Sequence, residues 1–174
     1  FGFDLMVANA LINMYSQCGS FNDAKTLLFT IPHRDVISWT AVIVMCMEQG
    51  CGSEALHLFG QMQNEGIIPD LVCFMATLTA CSKNGTLAEG SIIHWCLLNT
   101  SYASDMNISA ALVNMYGKCG SPEDAKRVFD RLPNRDVVSW GAIISGYAVH
   151  GPVNHAFNLF NDMQKSGIQP CTAT

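Results

Sequence analysis

The sequence predicts an all-α fold of stacked helix-turn-helix units, and three observations carry that expectation. First, Asp35-Val36-Ile37-Ser38-Trp39 returns as Asp136-Val137-Val138-Ser139-Trp140 at an offset of 101. Laid over each other without a gap, Asp4 to Gly50 and Asp105 to Gly151 also share Ala-Leu, Asn-Met-Tyr, Cys-Gly-Ser and Asp-Ala-Lys. Self-similarity at a fixed period implies units that bury their apolar faces on one another rather than one folded globule. Second, Gly19, Gly50, Gly85, Gly120 and Gly151 fall at intervals of 31, 35, 35 and 31 residues, where a residue tolerant of positive φ ends a helix at little cost. Third, apolar residues on both sides of each glycine recur at spacings of three and four, the helical period.

These signals divide the chain into a lead-in at 1–4, units at 5–35, 36–70, 71–105, 106–136 and 137–171, and a stub at 172–174. In the first unit, Val7, Ala10, Leu11, Met14 and Cys18 are expected on one buried face of a helix ending at Gly19. Ser20 with Asp23 then reads as a cap for a second helix, whose stripe is Ala24, Leu27, Leu28 and Ile31 before Pro32 stops it. The second unit runs through Trp39, Val42, Ile43 and Cys46, then Ala55, Leu58, Phe59 and Met62, until Gly66 and Pro69. Its Gly50-Cys51-Gly52 turn is poorly capped, at a cost of about 1 kcal/mol.

In the third unit Phe74, Leu78 and Cys81 lead to Thr86-Leu87-Ala88-Glu89, which has the capping-box pattern, and then to Ile92, Ile93, Trp95, Cys96 and Leu97. Asn99 to Ser104 replaces the closing proline with a polar stretch, read as a mobile loop. The fourth unit is punctuated by Gly120, Ser121 as cap, Pro122 at the first helical position, and Glu123 and Asp124 at the positive end of the helix dipole. The fifth repeats the second with Trp140, Ile143, Ile144 and Tyr147, then Ala156, Leu159, Phe160 and Met163, closing at Gly167 and Pro170.

Composition narrows the function classes. A net charge of -5 argues against a strong, salt-driven grip on a polyanion. Charge is also uneven: 36–70 carries Glu48, Glu54, Glu65 and Asp70 without a Lys or Arg, while 106–136 holds five of the nine basic residues. Among the eight cysteines, Cys18 and Cys119 share one repeat position, which suits a small buried side chain better than a disulfide, and there is no C-x-x-C. No metal or other cofactor is expected, and reduced thiols are. Residues 137–161 lack Asp, Glu, Lys and Arg, but Gly151-Pro152, Asn154, His155 and Asn158 break the run, so a buried helix pair explains it better than a membrane span. The chain opens on Phe and stops where another unit would begin, so a segment of a longer array is expected.

The phrases Asn9-Ala10-Leu11-Ile12-Asn13-Met14-Tyr15, Cys18-Gly19-Ser20 and Asp35-Val36-Ile37-Ser38-Trp39 closely resemble plant pentatricopeptide repeat (PPR) proteins of the PLS subclass. The resemblance covers nearly the whole chain. Units of 31, 35, 35, 31 and 35 residues resemble short, standard, long, short and standard motifs in that subclass's order. Tetratricopeptide repeats match less well, because W-x-x-L-G-x-x-Y is absent and a uniform period is not kept.

The resemblance implies a right-handed superhelical solenoid of helical hairpins, with the first helix of each motif facing single-stranded RNA, one base per motif. It implies that the fifth and last residues of a motif choose the base. Those pairs are Asn9 with Asp35, Thr40 with Asp70, Met75 with Asp105, Ala110 with Asp136, and Gly141 with Cys171. The first resembles the family's uracil reader, an amide that donates and accepts beside a carboxylate, and the second resembles a guanine reader. The last three depart from the pattern and are expected to discriminate poorly. The second-place residues Met6, Ile37, Val72, Asn107 and Val138 would sandwich the bases. A plainer reading stands beside this one, in which Asp35, Asp70 and Asp136 cap the next helix.

The functional expectation is therefore sequence-specific single-stranded RNA binding by the RNA-addressing segment of a mitochondrial or chloroplast RNA editing or processing factor. Small organellar editing cofactors could dock through the long motif. No membrane and no small-molecule substrate is expected, and no enzyme: the deaminase H-x-E followed by C-x-x-C is absent, since none of the five histidines is followed two residues later by Glu. The alternative is a protein-protein interaction scaffold, a normal use of helical solenoids.

Overall fold

The computed structural model of the protein describes residues 5–170. Among the described residues there are ten α-helices and no strand. They are α1 (Leu5–Gln17), α2 (Phe21–Thr30), α3 (Val36–Glu48), α4 (Gly52–Asn64), α5 (Leu71–Asn84), α6 (Leu87–Leu97), α7 (Met106–Lys118), α8 (Pro122–Asp130), α9 (Val137–His150) and α10 (Val153–Lys165). Consecutive helices are paired as hairpins numbered 1 to 5 below; α1 packs on α2, α3 on α4, α7 on α8 and α9 on α10, and α5 with α6 is paired by chain order. The chain forms two compact units, Phe1–Ala80 and Cys81–Thr174, which meet within α5.

In the first unit α1 packs on α2 and α3, and α3 packs on α4. Its core is Ile12, Leu28, Trp39, Ile43, Met47, Leu58, Met62 and Phe74, each essentially inaccessible and each contributing about 2 kcal/mol by apolar burial. The Phe59 and Phe74 rings lie 5.8 Å apart and join α4 to α5. In the second unit α7 packs on α6, α8 and α9, and α9 packs on α10. Here α7 and α9 cross at Gly117 and Gly146. A Cβ on Gly146 would stand 2.8 Å from the Gly117 Cα, so the crossing needs glycine.

Several local expectations are corrected. Ala8 and Ile12, not Val7, Ala10, Met14 and Cys18, form the buried face of α1; those four are exposed and Leu11 is half-buried. On α6 the buried residues are Gly90, Ile93 and Leu97, while Ile92 and Trp95 are exposed. Ser20, Thr86 and Ser121 stand at helix N-termini without a side-chain cap bond; the Ser121 hydroxyl instead donates to Asp124 Oδ2 at 2.7 Å. Gly19, Gly50, Gly85 and Gly120 have positive φ but Gly151 does not, its φ being -113°. Glycine is required at 151 for space, because a Cβ would meet Tyr147 Cδ1 at 2.5 Å. Within Asn99 to Ser104, which carries the polar stretch, a 3-10 turn spans Ser101–Ser104, started by Thr100, whose hydroxyl accepts from Tyr102 N–H.

Candidate nucleic-acid interface

Each first helix of a hairpin opens directly after an aspartate, and in four of them the structure shows what that aspartate does. The N-terminus of a helix leaves backbone N–H groups unpaired, which a side-chain carboxylate can accept. Asp35 Oδ1 accepts from Ser38 N–H at 2.8 Å and from the Ser38 hydroxyl at 2.5 Å, while Ser38 Oγ accepts from Asp35 N–H at 3.3 Å. Asp136 and Ser139 repeat the box, with bonds of 2.8 and 3.0 Å. Asp70 accepts from Cys73 N–H at 2.7 Å, and Asp105 from Asn107 and Ile108 N–H at 2.8 and 3.1 Å. Capping alone therefore accounts for aspartate at all four positions. The serine three residues on, part of the repeated Asp-Val-x-Ser-Trp phrase, is the partner that the sequence reading left without a role.

One aspartate does more. Asn9, at the fifth place of hairpin 1, donates its Nδ2 to Asp35 Oδ1 and Oδ2 at 3.3 and 3.2 Å. Burial works to raise the Asp35 pKa, but the Ser38 hydroxyl and N–H and the Asn9 amide outweigh it and hold the carboxyl below its ordinary value. The group is thus an ionised acceptor that fixes the orientation of the Asn9 amide. The Asn9 Oδ1 is inaccessible and has no partner.

The other fifth-place residues differ. The Thr40 hydroxyl is inaccessible and the structure does not join it to Asp70. It lies beside the Cys73 thiol, which burial pushes up to about 11. Met75, Ala110 and Gly141 are half-buried on α5, α7 and α9, and Ala110 has no polar group to offer Asp136. Cys171, the last-place partner of Gly141, lies outside the described residues.

The second-place residues share one property. Met6, Ile37 and Val72 in the first unit, and Asn107 and Val138 in the second, each occupy the second residue of their helix and are exposed. Single exposed apolar side chains are ordinary on protein surfaces, but here they recur at one place in the hairpin. Many of the cations are already engaged: Lys25, Arg34, Lys126, Arg127 and Lys165 each pair with a carboxylate.

Among the described residues no group of three or more His, Cys, Asp or Glu could hold a metal ion. Burial pushes the thiols of Cys46 and Cys119 up to about 12 and about 11, so both stay protonated at neutral pH. No helix among the described residues is long and apolar enough to cross a membrane.

An all-α array of helical hairpins with an aspartate at every internal junction defines a class, the helical repeat proteins. Within it the family follows from sequence profiles: that of the PPR repeat family matches residues 34–83 and 135–174, and that of the PPR repeat matches 7–35 and 110–137. The chain belongs to the pentatricopeptide repeat family. It is 39% identical over 167 residues to pentatricopeptide repeat-containing protein At3g03580 of Arabidopsis thaliana, covering 96% of this chain and 19% of that protein. It is 42% identical over 165 residues to the Arabidopsis thaliana protein At1g74600, described as chloroplastic, covering 95% of this chain and 18% of that protein. The chain thus spans about a fifth of the length of these relatives. The crystal structure of maize PPR10 superposes with a TM-score of 0.78 at 23% identity, over 96% of this chain and 25% of that one. PPR10 in complex with an 18-nt psaJ RNA element gives 0.62 at 19% identity, over 99% and 32%. The fold is that of the PPR solenoids.

Proposed function

We propose that the chain is the RNA-addressing segment of a longer plant protein and binds single-stranded RNA with sequence preference. The observation that carries this reading is the Asn9 amide fixed on the ionised Asp35, one helical turn past the exposed Met6. A base stacked on Met6 would present its Watson-Crick edge to that amide, and binding would have to turn the Oδ1, inaccessible here, toward the base before its donor and acceptor together suit uracil. Support also comes from the family and from the RNA held by maize PPR10, a structural neighbour. We further read the hairpins as motifs at 5–35, 36–70, 71–105, 106–136 and 137–171 of a PLS array, working in mitochondrial or chloroplast RNA editing or processing.

On this reading the segment prefers uracil followed by guanine, 5′ to 3′, through Asn9 with Asp35 and Thr40 with Asp70. The test compares targets containing UG and UU, with the segment embedded in a longer array. Thr40→Asn should move the second preference from guanine toward uracil by about 1 to 3 kcal/mol, and the paired cations should give a shallow salt slope. An unchanged preference with folding intact would favour the second reading, a protein-interaction scaffold. A specific feature supports that alternative: Ile92, Trp95 and Leu98 are all exposed on and just beyond α6, with Trp95 at 68%, an apolar patch on the hairpin read as the long motif, where small editing cofactors would dock.

A further inference from the structure

The offset of 101 sets Arg34 against Arg135 and Glu65 against Ser166, and the two arginines meet different surroundings. In the first unit Arg34 is clamped by Glu65 at both ends of its fork, Nε to Oε2 at 2.8 Å and Nη2 to Oε1 at 2.9 Å. Its guanidinium lies near the Phe29 and Trp39 rings, and its side chain is 20% exposed. In the second unit Arg135 keeps the aromatic support, 4.8 Å from the Phe129 centroid and 6.0 Å from that of Trp140. Bonds of 3.4 Å to the Phe129 and Asp130 carbonyls hold it in place.

The carboxylate is gone. Ser166 turns its hydroxyl back to the Asp162 carbonyl at 2.8 Å, and Arg135 is 38% exposed. A cavity of about 400 Å³ opens between Leu132, Pro133, Asn134, Arg135, Trp140, Ser166 and Ile168. Asp130 Oδ1 stands 3.7 Å from Nη2, and that carboxylate is already engaged by Lys126 at 2.5 and 2.6 Å. Trp140, 3% exposed, has an inaccessible indole N–H without an acceptor. The Trp39 indole also lacks one, so the feature that separates the two sites is the lost acid.

We propose that this cavity is a binding site for a carboxylate on a short aliphatic stem, the group that Glu65 supplies internally three hairpins earlier. A planar guanidinium held between rings and carbonyls matches a carboxylate through two parallel N–H bonds, with little ordering left to do on binding. Leu132, Pro133 and Ile168 suit the methylene stem, and the Asn134 amide adds a donor. The carboxylate could come from a free organic acid or from a glutamate side chain of a peptide.

The experiment titrates the 15N-labelled chain with glutarate, with a capped peptide bearing one glutamate, and with inorganic phosphate, at constant ionic strength. It follows the Arg135 Nε–H signal and the Trp140 indole N–H signal, assigned by Trp140→Phe. Saturable shifts of both with a carboxylate are expected, weakened about tenfold or more in Arg135→Gln. Ser166→Glu should abolish the response by restoring the internal clamp. The source is whichever of glutarate and peptide saturates at the lower concentration. Equal responses in the parent chain and Ser166→Glu, or shifts that do not saturate, would overturn the site. Phosphate saturating below both carboxylates would overturn the ligand class.

Discussion

Hairpins 1 and 4 are near copies in sequence, yet one face of their first helices is exposed in one and buried in the other. Val7 is 55% and Met14 45% exposed, while their counterparts Ile108 and Met115 are fully inaccessible. What covers α7 is α6: Met115 fills the space where a Cβ on Gly90 would stand, 2.4 Å from its Sδ, and His94 Nδ1 lies 2.9 Å from the Tyr116 hydroxyl. The first helix of a hairpin therefore has two apolar faces. One meets its own second helix and the next hairpin, and the other needs a helix from the hairpin before. In hairpin 1 no described residue covers that second face, so the same side chains stand at the surface. Burial here is a property of neighbours, as nearest-neighbour stacking requires.

The sharpest way to break this comparison is to remove one methionine from each copy. Met115→Ala should destabilise the chain by about 2 to 5 kcal/mol, a core truncation that leaves a cavity against Gly90. Met14→Ala should stay within about 0.5 kcal/mol, as surface changes do. Chemical denaturation of both variants measures the difference. Equal losses would mean that the Met14 face is covered after all.

That contrast also marks what could be read in the sequence. Helix identity and order were legible because glycine, proline and the apolar spacing agreed in every unit, and the strongest phrase, Asp-Val-x-Ser-Trp, turned out to be a capping box with a buried tryptophan behind it. The buried face of α1 was not legible, since Val7, Ala10, Met14 and Cys18 have helical spacing whether or not a neighbour covers them. Gly151 was misread for a related reason: glycine signals either positive φ or close approach, and only the Tyr147 ring decides between them. For the candidate interface, the sequence named the Asn9 and Asp35 pair that the structure joins. It could not show that the Thr40 hydroxyl would be buried and unjoined to Asp70, or that losing Glu65 at position 166 would open a cavity beside Arg135.

A smaller effect separates the two capping boxes. Asp35→Ala and Asp136→Ala should each cost about 1 kcal/mol for the lost cap, with Asp35→Ala the larger because it also strands the Asn9 amide. Both carboxyls are held below the ordinary value of 3.8, Asp136 chiefly by the Ser139 N–H against the opposing effect of burial. Each therefore adds stability that is fully present above that value and lost as pH falls through the lower folded-state value. Unfolding midpoints measured from neutral pH down to about pH 2 should fall less steeply in either variant than in the parent chain. Parallel curves would remove these caps from the account of acid sensitivity.

The smallest change is also the most pointed, because hairpin 4 carries Ala110 where hairpin 1 carries Asn9, while Asp136 stands in the place of Asp35. Ala110→Asn supplies the missing amide to a carboxylate already fixed by Ser139. Ala110 is half-buried on α7, so stability should change by no more than about 0.5 kcal/mol. The introduced side-chain amide should show slowed hydrogen exchange from its bond to Asp136. If fifth-place amides read bases, the fourth base of the target should then gain a preference for uracil that the parent chain lacks, by about 1 to 3 kcal/mol. Binding to targets that differ only at that base measures it. A protected amide without a new preference would leave the Asn9 and Asp35 bond as a tie between neighbouring hairpins, and base choice would have to come from somewhere else in the motif.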